Sequence, residues 1–123
     1  MSWARPYTLE LPPVFYKWLE RARRYPMFDI VREGTLCSVR LLYLLEPQGG
    51  PRDIFLHKQR LGVNLPPSYL PLGYDAFWNI LVWDVAEGGV YFQWRSRPSS
   101  SPLLVAPSLE SFCDQLYYRP WNA

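Results

Sequence analysis

Few side chains in this sequence could carry out nucleophilic, acid–base or metal chemistry. His57 is the only histidine, and Cys37 and Cys113 are the only cysteines. A zinc site needs about four ligands at characteristic spacings, and these three residues do not have them. No G-x-S-x-G motif or Ser-His-Asp arrangement accompanies His57. We therefore predict that His57 is a solvated surface residue and that the cysteines are small, buried apolar side chains.

Three carboxylates in the second half of the chain, Asp75, Asp84 and Glu87, could be imagined as an acid–base pair. Asp75, however, stands in a turn signal, where an Asp side chain bonds nearby backbone N–H groups. Asn79 is expected to do the same. Asp84 interrupts an apolar run and is expected to lie at a sheet edge or to face a partner. The sequence thus predicts a protein that is not an enzyme, with no catalytic residue, no metal and no cofactor.

A basic cluster of Arg21, Arg23 and Arg24 lies close to Trp18 and Tyr25. Aromatic and basic residues together can bind nucleic acid, but a binding patch would need more of them. The net charge of the chain is only +2. The cluster is better explained as the solvated end of a helix, so no nucleic-acid partner is expected.

The elements that must position these residues centre on the stretch from Tyr69 to Trp94. Three apolar runs, Tyr69–Leu72, Ile80–Val85 and Val90–Trp94, are separated by glycine and acidic residues. Such runs are typical of strands. Ile80–Val85 does not alternate, which predicts a central strand covered on both faces. The Glu87–Gly89 link is suited to a β-hairpin, because glycine readily adopts positive φ.

Helices are predicted near both ends of the chain. The first opens at Pro12-Pro13, carries apolar residues at helical spacing and stops before Pro26. The last begins at Pro107-Ser108, with Ser108 as N-cap, and ends at Pro120. The apolar faces are Leu11, Val14, Phe15, Trp18, Leu19 and Ala22 in the first helix, and Leu109, Phe112, Cys113, Leu116 and Tyr117 in the last.

Further strands are predicted on either side of the central stretch. Phe28–Arg32 and Leu36–Leu45 form a second hairpin around Glu33-Gly34, with Val39, Leu41, Tyr43 and Leu45 on one face. Leu103–Val105 is one more strand, and Tyr7–Leu11 is a possible edge strand or extended arm. The segment Asp53–Leu61 shows only a short apolar piece followed by charge, so no element is assigned to it.

These elements predict one α+β domain over residues 1–123, with a mainly antiparallel sheet and the terminal helices packed on one face. The N-terminal sequence has no apolar signal-peptide core. No apolar run approaches the roughly 18 residues that span a bilayer. We therefore expect a soluble, cytoplasmic protein without a membrane partner. The sequence gives no signal for its oligomeric state.

Aromatic residues are the least ordinary feature of the central stretch. Tyr74, Phe77 and Trp78 fall in a turn segment, and Trp83, Tyr91 and Trp94 lie on the neighbouring strands. Side-chain alternation prevents all six from facing one core. Exposed tyrosine and tryptophan often anchor protein interfaces, although packing in the core is an equally good explanation for these six. We predict partner binding by the Tyr74–Trp78 loop and the adjacent strand faces, with Tyr74, Asp75, Trp78, Asp84, Glu87 and Trp94 as the contact residues.

Several short motifs follow one another in a recognisable order. They are Leu11-Pro12-Pro13 with Tyr16 and Leu19, Pro71–Asp75 followed by Asn79, Leu81 and Asp84, Gly89-Val90-Tyr91 with Trp94, and Val105–Phe112 with Leu116. This order resembles the SUKH superfamily of Smi/Knr-type domains. One departure is Trp78, where the family usually has a small residue, typically glycine.

The resemblance implies an α+β domain with a strongly curved, mainly antiparallel sheet and a binding role without catalysis. Bacterial members resemble immunity proteins that neutralise a toxin, and eukaryotic members are regulatory scaffolds. We therefore expect an immunity protein with a cognate protein toxin as partner. The alternatives are a regulatory or scaffolding domain with a host-cell partner, and a small enzyme or carrier. The last would need a deep polar pocket holding His57, Asp75 and Asp84 together.

Overall fold

The computed structural model describes residues 11–47, 50–61, 65–96 and 101–120. The predicted arm over Tyr7–Leu11 lies outside these residues except for Leu11. The described chain is α+β, as predicted, and its strands form two antiparallel sheets. None of its helices is long and apolar enough to cross a membrane. The elements are α1 Pro13–Arg24, β1 Met27–Arg32, β2 Thr35–Arg40, β3 Tyr43–Leu44, α2 Ile54–Leu61, β4 Tyr69–Tyr74, β5 Ile80–Asp84, β6 Val90–Gln93, β7 Leu103–Ala106 and α3 Leu109–Gln115.

Helix α1 confirms the predicted amphipathic pattern. Proline occupies its first turn, where the missing N–H costs nothing. The helix ends at Arg24, and Tyr25 leaves the helical conformation immediately before Pro26. Its basic last turn suits the negative end of the helix dipole. The buried face consists of Phe15, Trp18, Leu19 and Ala22.

The predicted hairpin is present as β1 and β2, which pair antiparallel. Glu33 and Gly34 both have positive φ, 51° and 79°, the combination that a tight two-residue hairpin turn requires. The second strand is shorter than predicted, because the chain leaves the hairpin after Arg40 and enters the larger sheet as β3. The expected shared face is therefore wrong for Tyr43, which is exposed.

The larger sheet has the strand order β3-β4-β5-β6-β7, and each neighbouring pair is antiparallel. All five residues of β5 are buried, which confirms that it is a central strand. Strand β4 is irregular between Pro71 and Gly73. A Cβ on Gly73 would lie 2.6 Å from the Tyr43 carbonyl oxygen, so only glycine allows β3 to approach this closely.

Helix α2, over Ile54–Leu61, was not predicted. It begins where the Asp53 carboxylate accepts hydrogen bonds from the backbone N–H groups of Phe55 (2.8 Å) and Leu56 (3.0 Å), which caps the first turn. The ammonium group of Lys58 donates to the carbonyl oxygens of Pro67 and Tyr69, both at 2.5 Å. The helix thus holds the start of β4, beyond the point where β3 ends.

Helix α3 has the predicted cap but not the predicted end. The Ser108 and Ser111 side chains and backbone N–H groups bond each other reciprocally in a capping box. The helix stops at Gln115 rather than near Pro120, since Leu116 is already extended. Tyr117 then exchanges two backbone hydrogen bonds with Met27, at 2.9 and 3.0 Å. Pairing with the start of β1 therefore ends the helix earlier than proline would.

The two faces of the larger sheet have different neighbours. We call one the core face, and it carries Leu81, Trp83, Val90 and Phe92. The ring of Phe28, on β1, packs against this face: its centroid lies 5.8 Å from that of Phe92 and 5.1 Å from that of Phe112 on α3. We call the other the groove face, because a surface groove lies on it. The strand register and the groove lining place the following residues on this face: Tyr69, Tyr74, Ile80, Val82, Tyr91 and Gln93.

Candidate functional site

A groove of about 430 Å³ lies on the groove face of the sheet. Its floor is formed by Ile80 and Val82 of β5. Because alternate residues of a strand point to the same face, these two side chains stand next to each other. We name this depression the aromatic groove after its walls, to which the following residues contribute: Tyr69, Tyr74, Trp78 and Trp94, with Leu61, Leu65, Pro66, Gln93, Arg95 and Pro102 around them.

The loop that carries Trp78 is built on Asp75. One carboxylate oxygen of Asp75 accepts from the backbone N–H groups of Phe77 and Asn79, both at 2.9 Å. The other accepts from the Asn79 side-chain amide at 2.9 Å. The side-chain oxygen Oδ1 of Asn79 in turn accepts from the backbone N–H of Arg95 at 2.9 Å. These contacts confirm the predicted turn role of Asp75 and tie the loop to the end of β6.

Trp78 is held in an unusual backbone conformation. Its φ is +63°, in the left-handed region that a large side chain rarely adopts. Its indole stacks on Tyr43 with centroids 5.1 Å apart and meets Tyr74 edge-on at 5.5 Å. The guanidinium of Arg52 lies over the other ring of this stack, 5.2 Å from the Tyr43 centroid. The side chain is nevertheless 45% exposed, so the fold holds an aromatic surface towards solvent.

A second depression of about 550 Å³ adjoins the aromatic groove, and we name it the arginine depression. Trp94 and Arg95 line both depressions. The guanidinium of Arg32 lies 5.2 Å from the Trp94 ring centroid, within cation–π range. Phe77, at 77% exposure, stands at its border. The arginine depression is lined by Arg32, Phe77, Asn79, Trp94, Arg95 and Ser96.

Four of the six predicted contact residues lie at or beside the aromatic groove, and two lie at the other end of β5. Trp78, Tyr74 and Trp94 come together at the aromatic groove, although Tyr74 is only 9% exposed. Asp75 is buried beneath the loop. Asp84 and Glu87 lie at the far end of β5 from Trp78, with Glu87 exposed in the following turn.

The prediction that Asp84 lies at a sheet edge is wrong, whereas its predicted contact with a partner stays a prediction. Asp84 is buried and ends the central strand of the sheet. Its carboxylate accepts from the backbone N–H groups of Ala86 (3.1 Å) and Glu87 (3.3 Å). The run of apolar residues ends there because the turn after β5 needs an acceptor for its N–H groups.

His57 is not the solvated surface residue that the sequence suggested. It is partly buried on α2, where its Nδ1 lies 3.1 Å from the Tyr74 hydroxyl and its Nε2 lies 2.7 Å from the Pro51 carbonyl oxygen. A carbonyl only accepts, so Nε2 carries a proton and donates it to Pro51, while Nδ1 lies within hydrogen-bond distance of the Tyr74 hydroxyl. Burial raises the pKa of Tyr74, while the charge of Arg60 opposes that rise.

The remaining polar candidates serve the fold. Cys37 and Cys113 are free thiols that are only partly buried, so they are more exposed than predicted. Arg21 donates from Nε to the Cys113 carbonyl oxygen at 2.6 Å, and Arg23 forms an ion pair with Glu46. Two of the three arginines of α1 thus have protein partners. Within the described parts of the chain, no group of three or more His, Cys, Asp or Glu side chains could hold a metal ion.

The sequence did not predict the participation of Tyr43, Arg32 or Arg95. Tyr43 reaches Trp78 through the pairing of β3 with β4. Arg32 reaches Trp94 from a hairpin far away in the sequence. Such contacts join residues that are distant along the chain, so no pattern among neighbouring residues predicts them. Phe77 was noted among the aromatics, and its place in the turn segment was the available signal for its exposure.

Comparisons with protein-family models, with curated proteins and with solved structures found no match for this chain.

Proposed function

We propose that this chain is a cytoplasmic immunity protein, which binds a protein toxin and neutralises it through the aromatic groove. The observation that carries the proposal is the exposure of Trp78 beside Trp94 at an apolar groove. Tryptophan and tyrosine are favoured anchors in protein interfaces, where they fill pockets and exclude water. An exposed apolar concavity of this kind is typical of an interaction site.

The lining of the groove favours binding over catalysis. Among the described residues, neither the aromatic groove nor the arginine depression is lined by a histidine, cysteine, aspartate or glutamate. General acid–base and nucleophilic steps near neutral pH rely mainly on such groups. The hydroxyl groups of Tyr69 and Tyr74 also have raised pKa values because of burial, which keeps them protonated. Neither tyrosine is therefore suited to act as a base.

The resemblance to SUKH domains supports the same proposal. The segment that carries much of it, Pro71 to Asn79, is the segment that builds the Trp78 loop. Glycine, which the family usually has at the Trp78 position, tolerates positive φ without strain. In this chain a large indole occupies the position although its φ is +63°. We interpret the indole as a binding element built on that turn.

A co-expression experiment tests the proposal. The product of the gene directly upstream is induced in a test bacterium, and survivors are counted with and without this chain. We expect the wild-type chain to restore survival. Trp78→Ala should abolish rescue, because truncating an interface anchor typically costs about 2 kcal/mol or more of binding free energy. Tyr118→Ala, which removes another exposed aromatic ring, should leave rescue intact.

The outcomes separate the alternatives. Rescue by Trp78→Ala, with the variant folded to the same melting temperature, would place the binding surface elsewhere. Toxicity that the wild-type chain leaves untouched, or a harmless neighbouring product, would contradict the immunity role. In that case the regulatory or scaffolding alternative is favoured, and affinity purification from the host should recover its partner.

A further inference from the structure

The border of the aromatic groove is positively charged. Arg95 lines both the groove and the arginine depression, and Arg32 lines the latter. Arg60 is close enough to Tyr74 for its charge to act on that hydroxyl. Within the parts of the chain that the structure describes, no acidic residue lines either depression. The local charge is therefore far more one-sided than the net charge of +2 suggests.

Two buried acidic residues of the larger sheet and its loops, Asp75 and Asp84, use their carboxylates within the fold. Both carboxylate oxygens of Asp75 accept hydrogen bonds from donors of the Trp78 loop. Asp84 is buried and satisfies the turn after β5. Within the described residues, the guanidinium groups of Arg32 and Arg95 form no ion pair with a carboxylate. That of Arg32 lies over the face of Trp94. A guanidinium stacked on a ring keeps its edge N–H groups available for a carboxylate.

The apolar part of the site fits the side chain of a peptide. Ile80 and Val82 form a floor that is less than one-tenth exposed, and Tyr69 and Trp78 stand at its sides. The arginine depression begins on the other side of Trp94 and Arg95. A ligand that fills the groove with an apolar group and extends past Trp94 therefore brings its next groups to the arginines.

We propose that the partner presents an extended acidic segment, with one apolar or aromatic side chain in the aromatic groove and flanking carboxylates on Arg32 and Arg95. This inference rests on the proposed function, because it specifies the partner of the same site. Alternate residues of an extended chain point the same way at about 6.6 Å spacing. A carboxylate two positions from the apolar residue is thus directed to the same surface.

Two other classes of ligand fit less well. A single-stranded nucleic acid needs a channel of positive charge that follows its phosphates along several nucleotides, whereas the arginines here are grouped at one end of a groove. An anionic membrane would favour a protruding apolar surface. Phe77 protrudes, but the apolar surface of Ile80 and Val82 lies at the bottom of a concavity that lipid head groups would leave unfilled.

The test uses the full chain labelled with ¹⁵N and follows the indole N–H resonances of Trp78 and Trp94, assigned with Trp→Phe variants. The probe is a short acidic peptide with one phenylalanine and a glutamate two positions away on each side. We expect both resonances to shift on titration. The matched peptide with lysine in place of glutamate should leave them unchanged, and the peptide with alanine in place of phenylalanine should bind more weakly.

Arg95→Gln should weaken binding of the acidic peptide roughly three- to tenfold and reduce its salt dependence, since a rim charge contributes modestly and is screened. Arg24→Gln, which removes an exposed arginine of α1, is the matched control and should have no effect. The inference is overturned if the acidic and lysine peptides behave alike, if Arg95→Gln binds as well as wild type, or if the probe does not bind.

Preference for an oligothymidylate or for phosphatidylserine vesicles over the acidic peptide would also overturn the inference. These outcomes are independent of the rescue experiment. Binding of the acidic peptide without rescue would contradict the toxin as partner but retain the ligand class. Rescue without peptide binding would retain the immunity role and reject the acidic segment.

Discussion

Both faces of strand β5 carry apolar side chains, but they meet different surroundings. Leu81 and Trp83 point to the core face, where the aromatic cluster around Phe28 covers the sheet. Ile80 and Val82 point to the groove face, where the aromatic groove opens to solvent. All four side chains are less than one-tenth exposed. On the groove face this shielding comes from the walls of the aromatic groove, and a concavity remains above the floor.

The difference shows that low exposure of a strand does not by itself identify the packed side of a sheet. On the core face, side chains interdigitate with other elements and contribute mainly to stability. On the groove face, the same burial is achieved by a few aromatic rings whose outer surfaces remain in water. Such rings lose little stability when they are exposed and can contribute binding free energy when a partner covers them.

The largest expected effect comes from two adjacent aromatic residues of β6. Phe92, on the core face, is 1% exposed, so Phe92→Ala should lower the free energy of unfolding by about 3–5 kcal/mol because it leaves a cavity. Tyr91, on the groove face, is half-buried and stacks on Tyr69 at 5.6 Å. Tyr91→Ala should cost only about 1–2 kcal/mol. Equilibrium urea denaturation measures both, and equal losses would contradict the distinction between the faces.

Asp75→Ala should have an intermediate effect on stability and a large effect on binding. The substitution leaves three donors in the Trp78 loop without their buried acceptor, which should cost about 2–3 kcal/mol. The loop should then release Trp78 from its left-handed conformation. Denaturant unfolding measures the first effect, and the indole resonance of Trp78 reports the second.

Glu87→Ala is the matched control for this variant, because it removes an exposed carboxylate from the turn after β5. It should change neither stability nor the Trp78 resonance. If Asp75→Ala leaves both unchanged as well, the carboxylate is not what holds the aromatic groove in shape.

The smallest expected effect is on the pH dependence of stability. Burial raises the pKa of Tyr74 above its ordinary value of 10.0. The folded state therefore favours the protonated form of Tyr74. The stability that this preference contributes is complete below pH 10 and is lost as the pH rises through the pKa of Tyr74 in the folded state. Tyr74→Phe should reduce the loss of stability above pH 10. It should not abolish that loss, because the pKa values of Tyr69 and Tyr117 are also raised.

Thermal unfolding measured between about pH 9 and pH 11 tests this prediction. This pH range follows from the upward direction of the Tyr74 pKa shift. Tyr118→Phe, in an exposed tyrosine, is the size-matched control. An alkaline loss of stability that is identical in wild type and Tyr74→Phe would show that the groove wall does not titrate with folding.

Sequence patterns predicted most of the regular elements and part of the site. The aromatic content of the Tyr74–Trp78 segment indicated exposure correctly for Trp78, and the turn role of Asp75 was predicted from its neighbours. Tyr74 lines the aromatic groove, but its burial was not foreseen, since that burial depends on contacts with Trp78 and His57. Helix α2 was not predicted because its only sequence signals were Asp53, which caps its first turn, and a short apolar piece.

The sequence by itself determined the features whose causes lie within a few residues: helix α1, the Glu33-Gly34 turn, the buried strand β5 and the Ser108 cap. Periodicity, turn conformation and capping are local, so neighbouring residues suffice to specify them. Only the tertiary structure decided which face of the sheet is covered, that Tyr43 supports Trp78, and that Arg32 lies over Trp94. Those contacts join residues that are distant along the chain, and no local pattern encodes them.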